Sequence, residues 1–213
     1  MNADAFIRDN SELLAPPLVP ELKLHLASEV IPLWRKTEEE LAEIGVPPPY
    51  WAFAWAGGQA LARYLLDHPQ ITAGKRVLDF GAGSGLVALA AAKAGARHVA
   101  AADIDPFALA AIRRNADANS VNVETIAHDL IDSADEFDLI LVGDMCYERP
   151  LAERLMAWLK KSSAVILLGD PGRSYFPKSG LTRLATYSVP TTRELEDREI
   201  RETGVWRLEK ERD

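Results

Sequence analysis

The chain has 213 residues, room for one full-sized domain and little else. Apolar residues make up 48% and charged residues 26%, which excludes a disordered chain, a fibrous one and a small disulfide scaffold. Thirty-two acids against 24 bases leave a net charge of −8 and a pI near 5.1, a balance that disfavours polyanions and makes a basic partner the easier fit.

One cysteine, Cys146, cannot form an internal disulfide, so a reducing, cytoplasmic setting is expected. The first residues show no basic or apolar leader pattern, so no secretory signal is expected. The most apolar stretch, Val87 to Ala92, is far too short to span a bilayer, so no membrane association is expected.

Residues 1–50 carry prolines at 16, 17, 20, 32 and 47 to 49 and read as an extension or lid on a main domain over 51–213. A short helix is predicted there, with Thr37 and Glu40 as a capping box and Gly45 as its stop. Trp51, Phe53 and Trp55 alternate, which predicts a half-buried strand whose aromatics pack the core, line a site, or do both. From Lys75 onward strands and helices alternate. Strands are predicted at Val77-Leu78, His98 to Ala102, Val123 to Ala127, Phe137 to Val142 and Ala164 to Leu168. Helices are predicted at Leu86 to Ala94, Pro106 to Ala118 and Pro150 to Lys160. After Asp170 two further strands, Leu181 to Val189 and Gly204 to Leu208, follow with no good helix between them. The whole reads as α/β, a mainly parallel sheet with helices on both faces and an antiparallel finish. The charged tail from Arg193 to Asp213 reads as a solvated strand pair and a frayed end.

The sharpest motif is Asp79-Phe80-Gly81-Ala82-Gly83-Ser84-Gly85, directly after a strand and opening a helix. A dinucleotide fingerprint would need its third glycine at position 86, which is Leu86. Asp79 would oppose a pyrophosphate but suits a cofactor that carries an ammonium and a sulfonium. Asp103 ends the second strand, twenty-four positions after Asp79, where an acid can accept from both ribose hydroxyls. Asp105 competes for that role but can instead cap the helix that starts at Pro106. Asp129 follows the third strand in a turn-rich stretch, where a lone Asp reads as a turn residue. The four histidines show no metal spacing, so no metal is expected.

Asp-x-Gly-x-Gly-x-Gly in this context resembles the first motif of the class I, seven-stranded S-adenosylmethionine-dependent methyltransferases, over about residues 55 to 208. The resemblance implies a Rossmann-like seven-stranded mixed sheet. It also implies S-adenosyl-L-methionine held by Gly81, Gly83 and Gly85, with Asp79 near its cationic end, Asp103 on the ribose and Asp129 near the adenine. Trp55 and Gln59, flanking Gly57-Gly58 at a helix start, would contact the methionine part.

The fourth strand ends in Gly143-Asp144-Met145-Cys146-Tyr147-Glu148. It lacks the Asn-Pro-Pro-Tyr type of nucleobase and glutamine methyltransferases. Asp144-x-x-Tyr147 instead resembles the motif of a group rich in protein-lysine enzymes. With Pro47 to Gln59 and Leu18 to Leu26, it is similar to the electron transfer flavoprotein β-subunit lysine methyltransferases along nearly the whole chain. That similarity implies Asp144 and Tyr147 as the groups that orient a lysine, and the flavoprotein β subunit as protein substrate, with a monomeric enzyme expected. A small-molecule amine (nicotinamide-like) methyltransferase and a ribosomal-protein methyltransferase are the alternatives.

The chemistry of lysine fits these residues. Removing its proton at pH 7 costs about 4.6 kcal/mol, from a reference pKa near 10.4. A carboxylate can hold the cation while an aromatic wall of Tyr147, Trp51, Phe53 and Trp55 desolvates it. Methyl transfer needs no thiol, so Cys146 reads as a small packed residue. Asp170-Pro171-Gly172-Arg173 borders the same mouth and either helps bind the acceptor or turns the chain.

Overall fold

A computed structural model describes residues 2–27, 47–133, 137–191 and 199–210. The predicted capping box at Thr37 and Glu40 lies outside them. In chain order the described elements begin with α1 (Ala3–Asp9), β1 (Glu12–Leu14), β2 (Leu24–Leu26) and α2 (Ala56–Asp67). They continue with β3 (Arg76–Phe80), α3 (Leu86–Lys93), β4 (His98–Ala102), α4 (Pro106–Asn119) and β5 (Glu124–Ile126). The last are β6 (Leu139–Gly143), α5 (Arg149–Lys161), β7 (Val165–Asp170), β8 (Leu181–Pro190) and β9 (Ile200–Leu208).

Seven strands form one sheet in the order β5-β4-β3-β6-β7-β9-β8. The first five are parallel, and β9 runs antiparallel to both β7 and β8. The expected α/β mixed sheet and its antiparallel finish are therefore present. The pleat sends alternate residues to opposite faces. Val77, Leu139, Leu141 and Leu167 pack under α2, α3 and α4, while Leu78, Phe80, Ile140 and Leu168 pack with Leu155, Trp158 and Leu159 of α5. A central parallel strand buried on both faces reads as a continuous apolar run, which is why β6 and β7 were legible.

The order reverses between β3 and β6, so the carboxyl ends of β3, β4 and β6 open onto one crevice. Two helices are aimed at it by their caps. Gly85, at φ +77, starts α3, and Asp105 caps α4 by accepting the Phe107 N–H at 2.8 Å.

The N-terminal region is more regular than its prolines suggest. Asn2 accepts the Ala5 N–H and starts α1, and β1 pairs antiparallel with β2. Ile7 and Leu24 are fully buried, so this part packs into the core. The predicted strand at Trp51, Phe53 and Trp55 is not formed. Three prolines leave no N–H groups for a sheet, and Tyr50–Ala52 closes instead as a 3-10 turn capped by Pro49. Trp51 is buried beneath it, while Phe53 and Trp55 remain half-buried.

Candidate active site

The crevice encloses a cavity of about 680 Å³. Its floor is the turn after β3, where Gly81 and Gly83 stand at φ +65 and +52, a left-handed backbone that suits glycine. A side chain on Gly81 would also collide with the Met145 thioether. Trp55, Asp79, Asp103, Asp129, Asp144 and Tyr147 line the same space.

Each carboxylate is held by backbone N–H groups. Asp79 accepts from Ala88 at 2.9 Å, in the first turn of α3. It is 2% exposed, and burial, with Asp103 close by, pushes its carboxyl up to about 7. Asp103 accepts from Gly83 at 2.8 Å and from Asp105 at 3.0 Å, so the acid at the end of β4 also fastens the glycine turn. Burial raises its pKa against those hydrogen bonds. Asp129 closes a turn by accepting from Ile131 at 2.9 Å and meets Arg154 at 3.3 Å. It lines the cavity with the turn geometry that was its alternative reading.

Two predicted cofactor residues stand outside the lining. Gln59 is buried, its Oε1 accepting the Leu18 N–H at 3.1 Å and its Nε2 donating to the Ala54 carbonyl at 2.6 Å. It braces the N-terminal segment against the aromatic turn and does not reach the cavity, because both ends of its amide are committed to backbone. Gly85 lies one step behind the turn, packed on Ile112, where it lets α3 begin.

Asp144 is 9% exposed and sits at φ +58, a conformation Asp tolerates better than most side chains. Its Oδ2 accepts the Gly58 N–H at 2.9 Å, at the N-terminus of α2. Its Oδ1 accepts from the Arg173 guanidinium, from Nη2 at 2.7 Å and from Nε at 3.1 Å. That guanidinium lies 5.5 Å over the Trp55 ring. The approach of α2 to the strand ends depends on Gly57 and Gly169, since a Cβ on either would overlap the carbonyl oxygen of the other. Asp170, just beyond Gly169, accepts from the Gly172 and Arg173 N–H groups, both at 2.7 Å. Burial and the nearby Asp144 raise its carboxyl to about 7.

Tyr50, Trp55 and Tyr147 stand together at the mouth, with Tyr50 5.7 Å from Tyr147 and 6.1 Å from Trp55. Trp55 donates its indole N–H to the Tyr50 carbonyl at 2.9 Å. Burial pushes the Tyr147 phenol up to about 12, so it stays protonated. The Cys146 thiol is likewise raised to about 12 by burial, with Asp170 and Asp144 adding to it, and remains a thiol. The sequence reading missed Tyr50 as a mouth residue and Arg173 as the partner of Asp144. A signal existed for Arg173, because Asp170-Pro171-Gly172-Arg173 follows the strand next to the one that ends in Asp144.

Comparison with known proteins agrees with this architecture. Residues 59–169 match the family model of ribosomal protein L11 methyltransferase (PrmA). The chain is 39% identical over 213 residues to the electron transfer flavoprotein beta subunit lysine methyltransferase of Danio rerio, across 95% of this chain and 81% of that protein. It is 36% identical to the Homo sapiens protein of the same name, across 95% and 80% of the two chains. Among solved structures, the ribosomal protein L11 methylase of Lactobacillus delbrueckii subsp. bulgaricus superposes with a TM-score of 0.52 at 22% identity, covering 72% of this chain and 78% of that one. Magnesium protoporphyrin IX methyltransferase from Synechocystis PCC 6803, solved with bound S-adenosylmethionine, gives a TM-score of 0.53 at 18% identity, over 71% of this chain and 79% of that one. The last two share the fold. Sequence similarity over nearly the full length, joined to this crevice, places the chain in the family of the electron transfer flavoprotein beta subunit lysine methyltransferases.

Proposed function

We propose that this enzyme transfers a methyl group from S-adenosylmethionine to a lysine of the electron transfer flavoprotein β subunit. The observation that carries the reading is the extent of the similarity. The flavoprotein methyltransferases match across 95% of this chain. The ribosomal protein L11 methyltransferase of Dechloromonas aromatica matches across 66% of this chain and 48% of its own length. The N-terminal region and mouth, and not the cofactor crevice alone, follow the lysine enzymes.

The crevice fits the cofactor. Its volume of about 680 Å³ lies within the range of small-molecule sites, and the glycine turn admits close backbone approach. Asp103 would accept from the ribose hydroxyls, Asp129 would meet the adenine edge, Asp79 would face the cationic end, and Trp55 would cover the methionine part. When bound, the cofactor supplies an electrophilic methyl group on its sulfonium.

Asp144 and Tyr147 would orient the acceptor amine. A carboxylate has about four acceptor positions, so one paired to Arg173 and Gly58 can still accept from an amine. Paired in this way, Asp144 holds the amine without the full pull of a lone anion on its proton. Tyr50, Trp55 and Tyr147 exclude water, which also favours the neutral, nucleophilic form. The amine gives its proton to bulk water before it is enclosed, and alignment for in-line attack supplies much of the acceleration.

Residues 51–213 form the methyltransferase domain in this reading, and residues 1–50 are an extension to it, of which Pro47, Pro48 and Tyr50 border the cavity. The enzyme works as a cytoplasmic monomer on protein and not on nucleic acid, in keeping with its acidic balance and single cysteine. No described helix is long and apolar enough to cross a membrane.

The test is incubation with labelled cofactor and, in separate reactions, purified flavoprotein β subunit, ribosomal protein L11 and nicotinamide. Label on a lysine of the β subunit is expected. Label confined to L11 or to nicotinamide overturns the assignment.

A further inference from the structure

None of residues 2–27 lines the cavity, yet this region is tied to the glycine turn by two buried asparagines on α4. Asn115 is fully buried. Its Oδ1 accepts the His25 N–H at 2.7 Å, and its Nδ2 donates to the Ser84 carbonyl at 2.8 Å. Ser84 lies between Gly83, whose N–H is held by Asp103, and Gly85, which opens α3. One turn along α4, Asn119 accepts the Lys23 N–H at 3.0 Å and donates to the Lys23 carbonyl at 2.6 Å. Its amide also donates to the Asn115 carbonyl at 2.7 Å.

The pattern has a structural logic. β2 pairs with β1 through one edge, at Leu14↔Leu24 and Glu12↔Leu26. Backbone groups of Lys23 and His25 would otherwise form an open strand edge. The two asparagine amides take the place of the missing neighbour strand. A buried amide left unsatisfied is costly, so apolar residues would be the simpler filling for this face of α4. Asn115 uses its second polar atom on the glycine turn.

We propose that Asn115 is a positioning residue of the cofactor site, and that with Asn119 it makes the N-terminal strand part of the support of the glycine turn. Disturbing the strand then weakens cofactor binding without altering any group on the cavity wall. The inference rests on the cofactor reading and is independent of the acceptor.

Calorimetry with S-adenosylhomocysteine, on full-length protein well below its melting temperature, tests it. Asn115→Ala should weaken binding about tenfold, the equivalent of about one hydrogen bond. Asn119→Ala leaves the Ser84 bond in place and should weaken it by about threefold, a fraction of that bond transmitted through the strand. Leu208→Ala, in the core cluster on the other face of the sheet, serves as the control for general destabilisation. It should lower the melting temperature and leave affinity unchanged. In turnover, KM for the cofactor should rise in both asparagine variants while kcat at saturating cofactor is kept. Parent-like affinity in the asparagine variants overturns the proposal, as does an equal loss in Leu208→Ala. If Asn115→Ala does not fold, Asn119→Ala alone decides by the same criteria.

Discussion

Replacing Arg173 by Met removes the guanidinium from a carboxylate that the fold keeps almost dry. The Asp144 and Arg173 side chains are 10% and 17% exposed, and two guanidinium nitrogens converge on one oxygen. At this burial the pair is weakly screened, and breaking such a pair by removing one partner costs about 3–5 kcal/mol. For a chain of this size each kcal/mol shifts the melting temperature by about 2–4 °C, so Arg173→Met should lower it by about 6–20 °C. Asp144→Ala should lose a similar amount, with the added loss of the acceptor for the Gly58 N–H. The double variant removes both charges and should be less destabilised than the sum of the two singles. Thermal and urea unfolding of the four proteins gives the coupling directly. Additive losses, or an Arg173→Met melting temperature within about 2 °C of the parent, would refute the reasoning that this pair is buried and strongly coupled. Asp144→Ala should also abolish turnover while calorimetry still detects cofactor binding.

Asp103→Ala removes the acceptor for the Gly83 and Asp105 N–H groups together with the proposed ribose contact, and should weaken cofactor binding by about 1–3 kcal/mol; unchanged affinity by calorimetry would count against it. Gly57→Ala places a methyl group on the Gly169 carbonyl, a backbone atom that cannot easily yield, and should cost about 3 kcal/mol or more, at or above the top of the usual overpacking range. Gly172→Ala meets open space at φ +92 and should cost only the backbone strain of about 1–2 kcal/mol, so equal losses in urea unfolding would contradict the packing argument. Burial raises the Asp79 carboxyl to about 7, above the ordinary aspartate value of about 3.9, so the folded protein keeps a proton that the unfolded chain releases. Its contribution is complete below about pH 4 and is lost as the pH rises through about 7. Asp79→Asn should therefore gain stability relative to the parent between pH 5 and pH 8, and a pH-independent difference would show that Asp79 does not titrate there.

The legible parts of this protein were those whose cause is local. Alternating apolar strands and capped helices from Arg76 to Leu168 follow from side-chain period and from Pro106, Gly85 and Gly95 acting as punctuation. The strand at Ile200–Leu208 began four residues earlier than expected, because its polar first half takes its hydrogen bonds from β8 and needs no apolar signal. β1 and β2 escaped notice for a related reason. Each is three residues long, and β2 is held from α4 by Asn115 and Asn119, more than eighty positions away in sequence.

The candidate site divides along the same line. By itself the sequence determined the glycine turn, the acids at the strand ends and the Asp144-x-x-Tyr147 segment, since each is a short stretch with its own chemistry. Tertiary structure alone decided what those groups face. It turned Gln59 away from the cavity, committed both oxygens of Asp144, and brought Arg173 onto Trp55 across twenty-nine positions from its carboxylate partner. The physical reason is that hydrogen bonds and ion pairs are satisfied by whichever partner packing delivers, and packing is a property of the whole sheet rather than of any motif in it.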